Sequence, residues 1–488
     1  MKISRFHVKI NPKSKRYQMG NHSLPYMYSR PIDSNNNPKL HVLCMLFLLG
    51  MVHSASAAEI AVSTARDGQF MPRTVSDGRR GAIVAWEDYR TGKDWDIYAQ
   101  RVNAAGKAAW KTDGVPICLA EWNQRRLRMI RSVDRVIAVW NDRRDKSNWD
   151  IYAQAIDLSG KVLWQTNGVP VCTDTADQST QAILSDGVGG AIFVWEDARR
   201  SAEHQDLYIQ RLDSNGQPMW KVDGIPVFPS DSLQSDPILL ADGSDGFYLV
   251  WWDVIGYESW HIMAFRLNMD GSPVWDAPIV VSPLKGMHGI PRVASDHDGG
   301  LIIAWQIYES FINDNLYAQR IDPNGRKLWT DEGVKICEAS GIQKNASITS
   351  DGNGGIIAVW SDERDVYSDL YAQRVGAFGT VRWKENGVPI CTAGGHQDRP
   401  FIVPSVDDQF FVAWLDYRDD YGDESSDAIY AQQLNLDGKV AWNADGVPIC
   451  TAPGEQYPPY VLRSESGVLS VVWTDVRDDQ GDVYMWRF

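Results

Sequence analysis

The sequence predicts an all-β fold, an eight-bladed β-propeller with four antiparallel strands in each blade. Three observations predict it. An apolar strand ends in Trp eight times at intervals of 54 to 59 residues, the chain holds 21 Trp and 40 Gly, and Asp-Gly or Asn-Gly pairs separate runs of β-branched residues. Blades of this length bury their faces only against neighbouring blades, so the repeats should stack around an axis. Apolar residues with a helical period do not recur along the repeats, and we expect almost no helix.

Each repeat carries four anchors that divide it into four strands. The strand-ending Trp is the first, the strand DxYAQR the second, and a later Trp the third, 12 residues after the second anchor in seven repeats. The segment GVPIC is the fourth. We expect strand one before the Asp-Gly turn, strand two to end at the first Trp, strand three to be DxYAQR, and strand four to run from the later Trp to GVPIC. The strand-ending residues are Trp86, Trp140, Trp195, Trp251, Trp305, Trp360, Trp414 and Trp473.

The eighth repeat stops at Phe488, after its third strand, and the missing strand is found at the other end of the repeat array. Residues 59–65 (EIAVSTA) align with residues 446–452 (GVPICTA), because Ser63 and Cys450 each precede a strand-ending Trp by 23 residues. We predict that this segment supplies the outer strand of the last blade. Such a closure removes the open edges of the ring.

The N-terminal segment has the pattern of a secretory signal peptide. The apolar run 40–52 follows Lys39 and precedes the small residues 55–58. We therefore divide the chain into a leader, 1–58, and a propeller, 59–488. Translation could begin at Met1 or at Met27. We expect a secreted or extracytoplasmic protein, in the periplasm or at the cell surface, monomeric and without a membrane span after cleavage.

The charge of the propeller excludes one class of partner. Without the eight basic residues and one acidic residue of 1–58, the chain keeps 40 basic and 62 acidic residues, a formal net charge of −22. So acidic a surface repels nucleic acid and anionic lipid.

The hairpin of residues 152–164 (YAQAIDLSGKVLW) resembles the tryptophan-docking repeat of pyrroloquinoline-quinone-type propellers, and the resemblance recurs at Asp322, Gly325 and Trp329. It implies a propeller of eight blades. The Thr that the family has before Gly is Ser159 or Asn324 here, and the family's adjacent Cys pair is absent, which argues against quinoprotein catalysis. The longer unit WxDxR, DxYAQR, GVPVC is also similar to repeats of exported bacterial proteins without an assigned activity.

The cysteines and the WxDxR motif recur in most blades, which favours structural roles. Equivalent Cys in adjacent blades should lie beyond the ~7 Å Cα separation that a disulfide spans, so we predict buried free thiols. The Asp of WxDxR should accept backbone N–H groups in the following turn, and the Arg should pair with a carboxylate of its own or the next blade. The Cys in question are Cys118, Cys172, Cys337, Cys391 and Cys450.

One acidic loop is a candidate calcium site. We expect the Asp-Gly turns to be hairpin turns, since they lack the alternating ligands of calcium loops. The longer loop after the seventh Trp is a better candidate, although a solvated acidic loop is the favoured alternative, and no other cofactor is expected. Its candidate Ca²⁺ ligands are Asp419, Asp420, Asp423 and Asp427.

Blades four and five depart most from the repeat and therefore supply the candidate ligand site. Aromatic and acidic residues replace the motif there, and flat aromatic surfaces beside carboxylates suit a carbohydrate or a protein partner. The alternative is decay of the repeat, with the aromatic side chains packing on one another. The candidate ligand-binding residues are Trp252, Tyr257, Glu258, Trp260, His261, Tyr308, Glu309 and Phe311.

The sequence favours a binding scaffold over an enzyme. It contains no nucleophile motif, phosphate loop or zinc-protease helix, and we assign no catalytic residue. Two alternatives stay open. One is a carbohydrate-active hydrolase or lyase that uses Glu258, Glu309 or Asp253 as acid and base, and the other is a structural module of an envelope assembly.

Overall fold

The computed structural model describes residues 59–488 except 202–203, 255–259, 285, 311–312, 419–426 and 479, and omits the side chains of Thr180, His204 and Glu309. The predicted leader lies outside this range. The described residues form eight four-stranded antiparallel sheets, as predicted, and contain no helix. No helix that could cross a membrane therefore occurs in this part of the chain.

The first four blades follow one another along the chain. Blade one contains β2 (Gln69–Ser76), β3 (Ala82–Asp88), β4 (Asp96–Val102) and β5 (Val115–Cys118). Blade two contains β6 (Gln124–Ser132), β7 (Arg135–Asp142), β8 (Asp150–Asp157) and β9 (Val169–Cys172). Blade three contains β10 (Gln178–Ser185), β11 (Ala191–Ser201), β12 (His204–Leu212) and β13 (Ile225–Pro226). Blade four contains β14 (Leu233–Ala241), β15 (Gly246–Val254), β16 (Trp260–Asn268) and β17 (Ile279–Val280).

The second half of the ring continues in the same order, and the last blade takes in the N-terminal strand. Blade five contains β18 (Arg292–Ser295), β19 (Leu301–Ser310), β20 (Asn313–Ile321) and β21 (Val334–Cys337). Blade six contains β22 (Gln343–Ser350), β23 (Ile356–Asp362), β24 (Asp369–Val375) and β25 (Val388–Cys391). Blade seven contains β26 (Gln397–Pro404), β27 (Gln409–Asp416), β28 (Ala428–Asn435) and β29 (Val447–Cys450). Blade eight contains β30 (Tyr460–Arg463), β31 (Leu469–Asp475), β32 (Asp482–Arg487) and β1 (Glu59–Ser63).

The first strands line the axis and close the ring. Each first strand contacts the first strands of both neighbouring blades, and β2 contacts β30. The second strands form the core, where all eight strand-ending Trp side chains are at most 1% exposed. The alternation of the sheet faces thus places apolar rows of adjacent blades against each other.

The N-terminal strand closes the last blade in the predicted register. Ser63 pairs with Val483 as Cys450 pairs with Ile429 in the preceding blade. Glu59 adds an ion pair to the closure, with its carboxylate oxygens 2.7 and 2.9 Å from the guanidinium of Arg477.

Strand four is shorter than the sequence analysis predicted. It begins five residues after the later Trp, at Val115 in blade one, so Trp110 lies outside the strand. The side chain of the later Trp instead contacts the next blade. Trp164 donates its indole N–H to the carbonyl of Ser214 at 3.0 Å, and its ring lies under Gly216.

This docked Trp explains the glycine of the hairpin between strands three and four. Gly216 has a φ of +76°, and a Cβ there would come within 2.8 Å of the Trp164 ring. Any other residue would therefore be strained and would push the blades apart. The same hydrogen bond joins four more pairs, Trp110–Leu158, Trp275–Pro323, Trp329–Ala377 and Trp383–Leu436.

The WxDxR motif is a structural clamp within six blades, all except blades four and five. In blade two, Asp142 accepts the indole N–H of Trp140 at 2.7 Å and a forked pair of bonds from Arg144 at 2.9 and 2.6 Å. The Arg144 guanidinium also lies 3.6 Å from the centre of the Tyr152 ring and donates to the carbonyl of Asn167. One buried carboxylate thus joins strands two and three to the turn before strand four.

The five propeller cysteines are buried free thiols that face the next blade. Cys450 Sγ lies 3.4 Å from a guanidinium nitrogen of Arg477 and 3.3 Å from an oxygen of Asp475. Burial raises the pKa of the Cys450 thiol to about 12, so it stays protonated at physiological pH and packs as a small apolar group.

A row of buried carboxyl groups makes stability depend on pH. The Asp that begins strand three is less than 10% exposed in blades one, two, six and eight. Burial, and then neighbouring carboxylates, raise the pKa of Asp96 and Asp150 to about 7 and that of Asp369 and Asp482 to about 6.

Deletion of residues 59–65 should destabilise the whole ring, because β1 supplies the outer strand of blade eight and the partner of Arg477. We expect the melting temperature of the 66–488 chain to fall by about 5 °C or more relative to 59–488, measured by calorimetry. Glu59→Gln, which keeps the strand and removes one charge, should cost less. An unchanged melting curve for the truncated chain would contradict the closure.

Stability should fall as pH rises from about 4 to 7. Since the folded pKa of these Asp carboxyls lies above the unfolded value of about 3.9, their contribution is fully present below that value and is lost as pH rises through 6 to 7. Melting temperatures between pH 4.5 and 8.5 test this. Asp96→Asn should flatten the profile, and a profile that rises with pH in the unmodified protein would refute the assignment.

Candidate functional site

The two faces of the ring differ in their connections. The upper face, as we call it, carries the loops from strand two to strand three and from strand four to the next blade. The lower face carries the tight turns, in which an Asp such as Asp351 accepts backbone N–H groups of Asn353 and Gly355 at 2.8 Å. The turns on the lower face are thus closed by their own side chains, as expected for hairpins.

Three positions of the repeat vary freely on the upper face. One lies between the Asp and the Arg of WxDxR, and the other two flank the Gln that begins strand one. The Gln residues between these two positions, such as Gln343 and Gln397, are fully buried. The backbone that presents the variable residues is therefore fixed. The first two positions touch, since Tyr308 N–H donates to the Met287 carbonyl at 3.1 Å and Tyr417 N–H to that of His396 at 2.8 Å.

These variable positions form a cleft across blades five to seven. A hollow of about 650 Å³ lies between blades five and six and adjoins one of about 290 Å³ between blades six and seven, with Lys344 lining both. A third hollow of about 480 Å³ continues from Asn345 to the axis. Their sizes are those of small-molecule sites. The cleft is lined on the upper face by Met287, Gln306, Tyr308, Ser310, Asp314, Ile342, Lys344, Asn345, Tyr367, Ser368, Gly395, His396, Asp398, Tyr417 and Arg418.

The imidazole of His396 is held in one orientation. Its Nδ1 accepts the backbone N–H of Ser368 at 3.0 Å, and the ring of Tyr367 meets it edge-on with centroids 5.3 Å apart. A neutral imidazole that accepts at Nδ1 carries its proton on Nε2. His396 is exposed and thus offers the cleft a hydrogen-bond donor.

The carboxylates beside the cleft act mainly as acceptors for protein groups. Asp398 Oδ1 accepts the amide of Asn345 and the hydroxyl of Ser361, each at 2.8 Å. Asp314 accepts the side-chain amide of Gln306 at 2.7 Å. These carboxylates fix neighbouring polar groups, which is typical of a binding surface.

The tyrosines present partly exposed rings. Tyr308 is 45% and Tyr367 47% exposed. Burial of the hydroxyl, and then the charge of Asp314, raise the pKa of Tyr308, whereas burial and the charges of Asp427 and Asp398 raise that of Tyr417. Both hydroxyls therefore stay protonated and can donate hydrogen bonds at physiological pH.

The predicted site residues do not all reach this cleft. Tyr308 lines it, but Trp252 is 9% exposed and packs edge-on against Trp260, with ring centroids 5.2 Å apart, in the apolar cluster of blade four. His261 pairs with Asp253 across strands two and three. Tyr257, Glu258 and Phe311 lie outside the described residues, as does the side chain of Glu309.

The predicted calcium loop is described only at its end. Asp419, Asp420 and Asp423 lie outside the described residues, while Asp427 precedes β28. Among the described side chains, no group of three His, Cys, Asp or Glu could hold a metal ion.

The sequence analysis missed Lys344, Tyr367, His396, Asp398 and Tyr417. For four of them the signal was present, since Lys344, His396, Asp398 and Tyr417 occupy the variable positions described above. Blades four and five differ most from the repeat in composition, and the prediction was based on that difference. Some of the residues concerned, such as Trp252, pack inward. Positions that vary from blade to blade between constant residues are the better indicator of the exposed face.

Replacement of Trp252 by Ala should reduce stability, because a nearly buried indole in a packed cluster is lost. We expect about 3 kcal/mol or more of destabilisation in chemical denaturation. Tyr308→Ala is the matched control and should change stability little, since half of its ring is already in water. Equal stability of the two variants would show that Trp252 is not a core residue.

No model of a protein family and no curated protein matches the chain. Solved structures do resemble it. They include an ulvan lyase, described as a new family of polysaccharide lyase (TM-score 0.46, 11% identity, 78% of this chain and 94% of that chain), and an α-L-arabinofuranosidase from Fusarium graminearum (TM-score 0.37, 9% identity, 89% and 97%). A protein of unknown function from Dyadobacter fermentans has a TM-score of 0.36 and 11% identity over 64% of this chain and 94% of that chain. We draw no functional conclusion from likenesses of this degree.

Proposed function

We propose that this protein is an exported binding propeller that holds a carbohydrate in the cleft of blades five to seven. One observation carries the proposal. Positions that vary among the blades bring partly exposed tyrosine rings and oriented polar groups into one continuous cleft, while the positions around them remain constant.

The chemistry of the cleft supports a sugar as the ligand. The faces of sugar rings stack on aromatic side chains, and their hydroxyls need donors and acceptors fixed at the rim. Tyr308 and Tyr367 offer the rings, His396 offers a fixed donor, and Lys344 is held by an ion pair with Glu363. A binding role also fits carboxylates that are already engaged by protein groups.

The predicted leader supports export. A carbohydrate-binding propeller with a net charge of −22 suits a periplasmic or cell-surface location, because its acidic surface favours solubility and repels nucleic acid. We propose that location together with the function.

Loss of the cleft tyrosines should weaken carbohydrate binding without unfolding the ring. Tyr308→Ala and Tyr367→Ala should each raise Kd about tenfold, the usual cost of removing an aromatic contact from a binding site, with an unchanged melting temperature. A panel of oligosaccharides and titration calorimetry provide the measurement. Phe378→Ala is the control, because Phe378 is 87% exposed in a lower-face hairpin.

Three outcomes would overturn the proposal. They are absence of binding across the panel, an equal loss with Phe378→Ala, and the release of new reducing ends or unsaturated products, which would show an enzyme instead.

A further inference from the structure

The axial channel carries a cluster of arginines in an otherwise acidic protein. Strand one of blades one, two and five holds an Arg opposite the residue before the strand-ending Trp. These residues are Arg73, Arg128 and Arg292, which we call the axial arginines. The equivalent residues in the other blades are Ala182, Ile238, Ser347, Phe401 and Tyr460. Because these positions share one register on the innermost strands, the three Arg residues start from one level of the channel.

The axial arginines are held by neutral groups. Arg73 lies 4.1 Å from the centre of the Tyr460 ring and donates to the carbonyl of Pro72 at 3.1 Å. Arg292 donates to the carbonyl of Ala346 at 3.0 Å. None of the three forms an ion pair within the part of the chain that the structure describes, whereas the Arg of every complete WxDxR motif does.

The axial arginines affect one another and the carboxyl groups near them. Burial, partly offset by the Tyr460 ring, lowers the pKa of Arg73 to about 10, and Arg128 lowers it further. Burial raises the pKa of Asp236 against the opposing effect of Arg126, Arg292 and Arg128. Two carboxyl groups, Glu87 and Asp236, thus lie near the axial arginines, and Glu87 is already paired with Arg125.

The cleft leads to one of the axial arginines, Arg292. Its third hollow, of about 480 Å³, is lined by Arg292, Asn345, Arg399, Phe401 and Tyr460. Asn345 also lines the hollow that contains Tyr308. A ligand that stacks on the tyrosines can therefore extend an anionic group to the axis.

We propose that the axial arginines bind the carboxylate or sulfate groups of an acidic saccharide whose chain lies in the cleft. The inference rests on the proposed function and specifies its ligand class. Guanidinium groups pair with two-oxygen anions through forked hydrogen bonds, and such bonds are strongest where water is partly excluded, as in the channel.

A matched pair of ligands tests the charge alone. An oligo-uronate and its methyl ester have the same backbone and differ only in charge, and titration calorimetry gives both affinities. The acid should bind about tenfold or more tightly than the ester, as expected from one charge-assisted hydrogen bond. The preference should shrink at high ionic strength. A sulfated oligosaccharide and its desulfated form, tested in the same way, show which anion is preferred.

Variants assign the preference to the channel. Arg292→Gln and Arg128→Gln should each reduce acid affinity toward that of the ester and leave ester binding unchanged; Arg128 is exposed, so its replacement should not affect folding. Arg326→Gln, at an exposed ion pair with Asp322 in a lower-face hairpin, is the control.

The outcomes separate this inference from the proposed function. Equal binding of the charged and neutral partners in both ligand pairs, or a preference that survives both channel variants, overturns the axial anion site while carbohydrate binding stands. Absence of binding by every saccharide, charged or neutral, overturns both.

Discussion

Docking of one blade's indole under the next blade's glycine turn is the interaction on which the ring depends. Trp164 shows it fully, with an indole hydrogen bond to Ser214 and its ring against Gly216. A single four-stranded sheet cannot bury both of its faces, so each blade needs such a contact with its neighbour. The ends of the array satisfy the same need with other residues. Ile60 lies against Gly106, and Trp442 stacks on Phe488 with ring centroids 5.8 Å apart.

The framework confines the chemical variation of the protein to one face. Within six of the blades, the buried Asp of WxDxR engages Trp, Arg and backbone groups, and between blades the buried thiols pack on the next Arg. Substitution at these positions would leave a buried carboxylate or guanidinium without its partner, which is costly. The positions beside them on the upper face carry no such constraint, and they differ from blade to blade. A cleft with the character of a binding site therefore arises where three blades contribute variable residues.

The axial arginines are positively charged, whereas the propeller as a whole is negative. The propeller has a net charge of −22, yet the innermost strands place Arg73, Arg128 and Arg292 at the axis. Arg73 and Arg292 are partly buried there, which limits the water that can screen them, so a charge at the axis has more effect on a ligand than a charge on the exterior. Away from the axis, burial at the start of strand three raises the pKa of Asp96 and its equivalents, and it links the stability of the ring to mildly acidic conditions.

Sequence alone determined the number of blades, the order of strands and the closure by residues 59–65, because these depend on spacing that is local and repeated eight times. It also determined the structural roles of the Asp, Arg and Cys anchors. Only the tertiary structure decided that the later Trp leaves its strand to dock on the next blade, that Trp252 packs inward, and that Tyr308, Lys344 and His396 meet in one cleft. Those outcomes depend on contacts between separate blades and on which way a side chain turns at the end of a strand. A linear pattern records the position of such a side chain and does not record the neighbour that receives it.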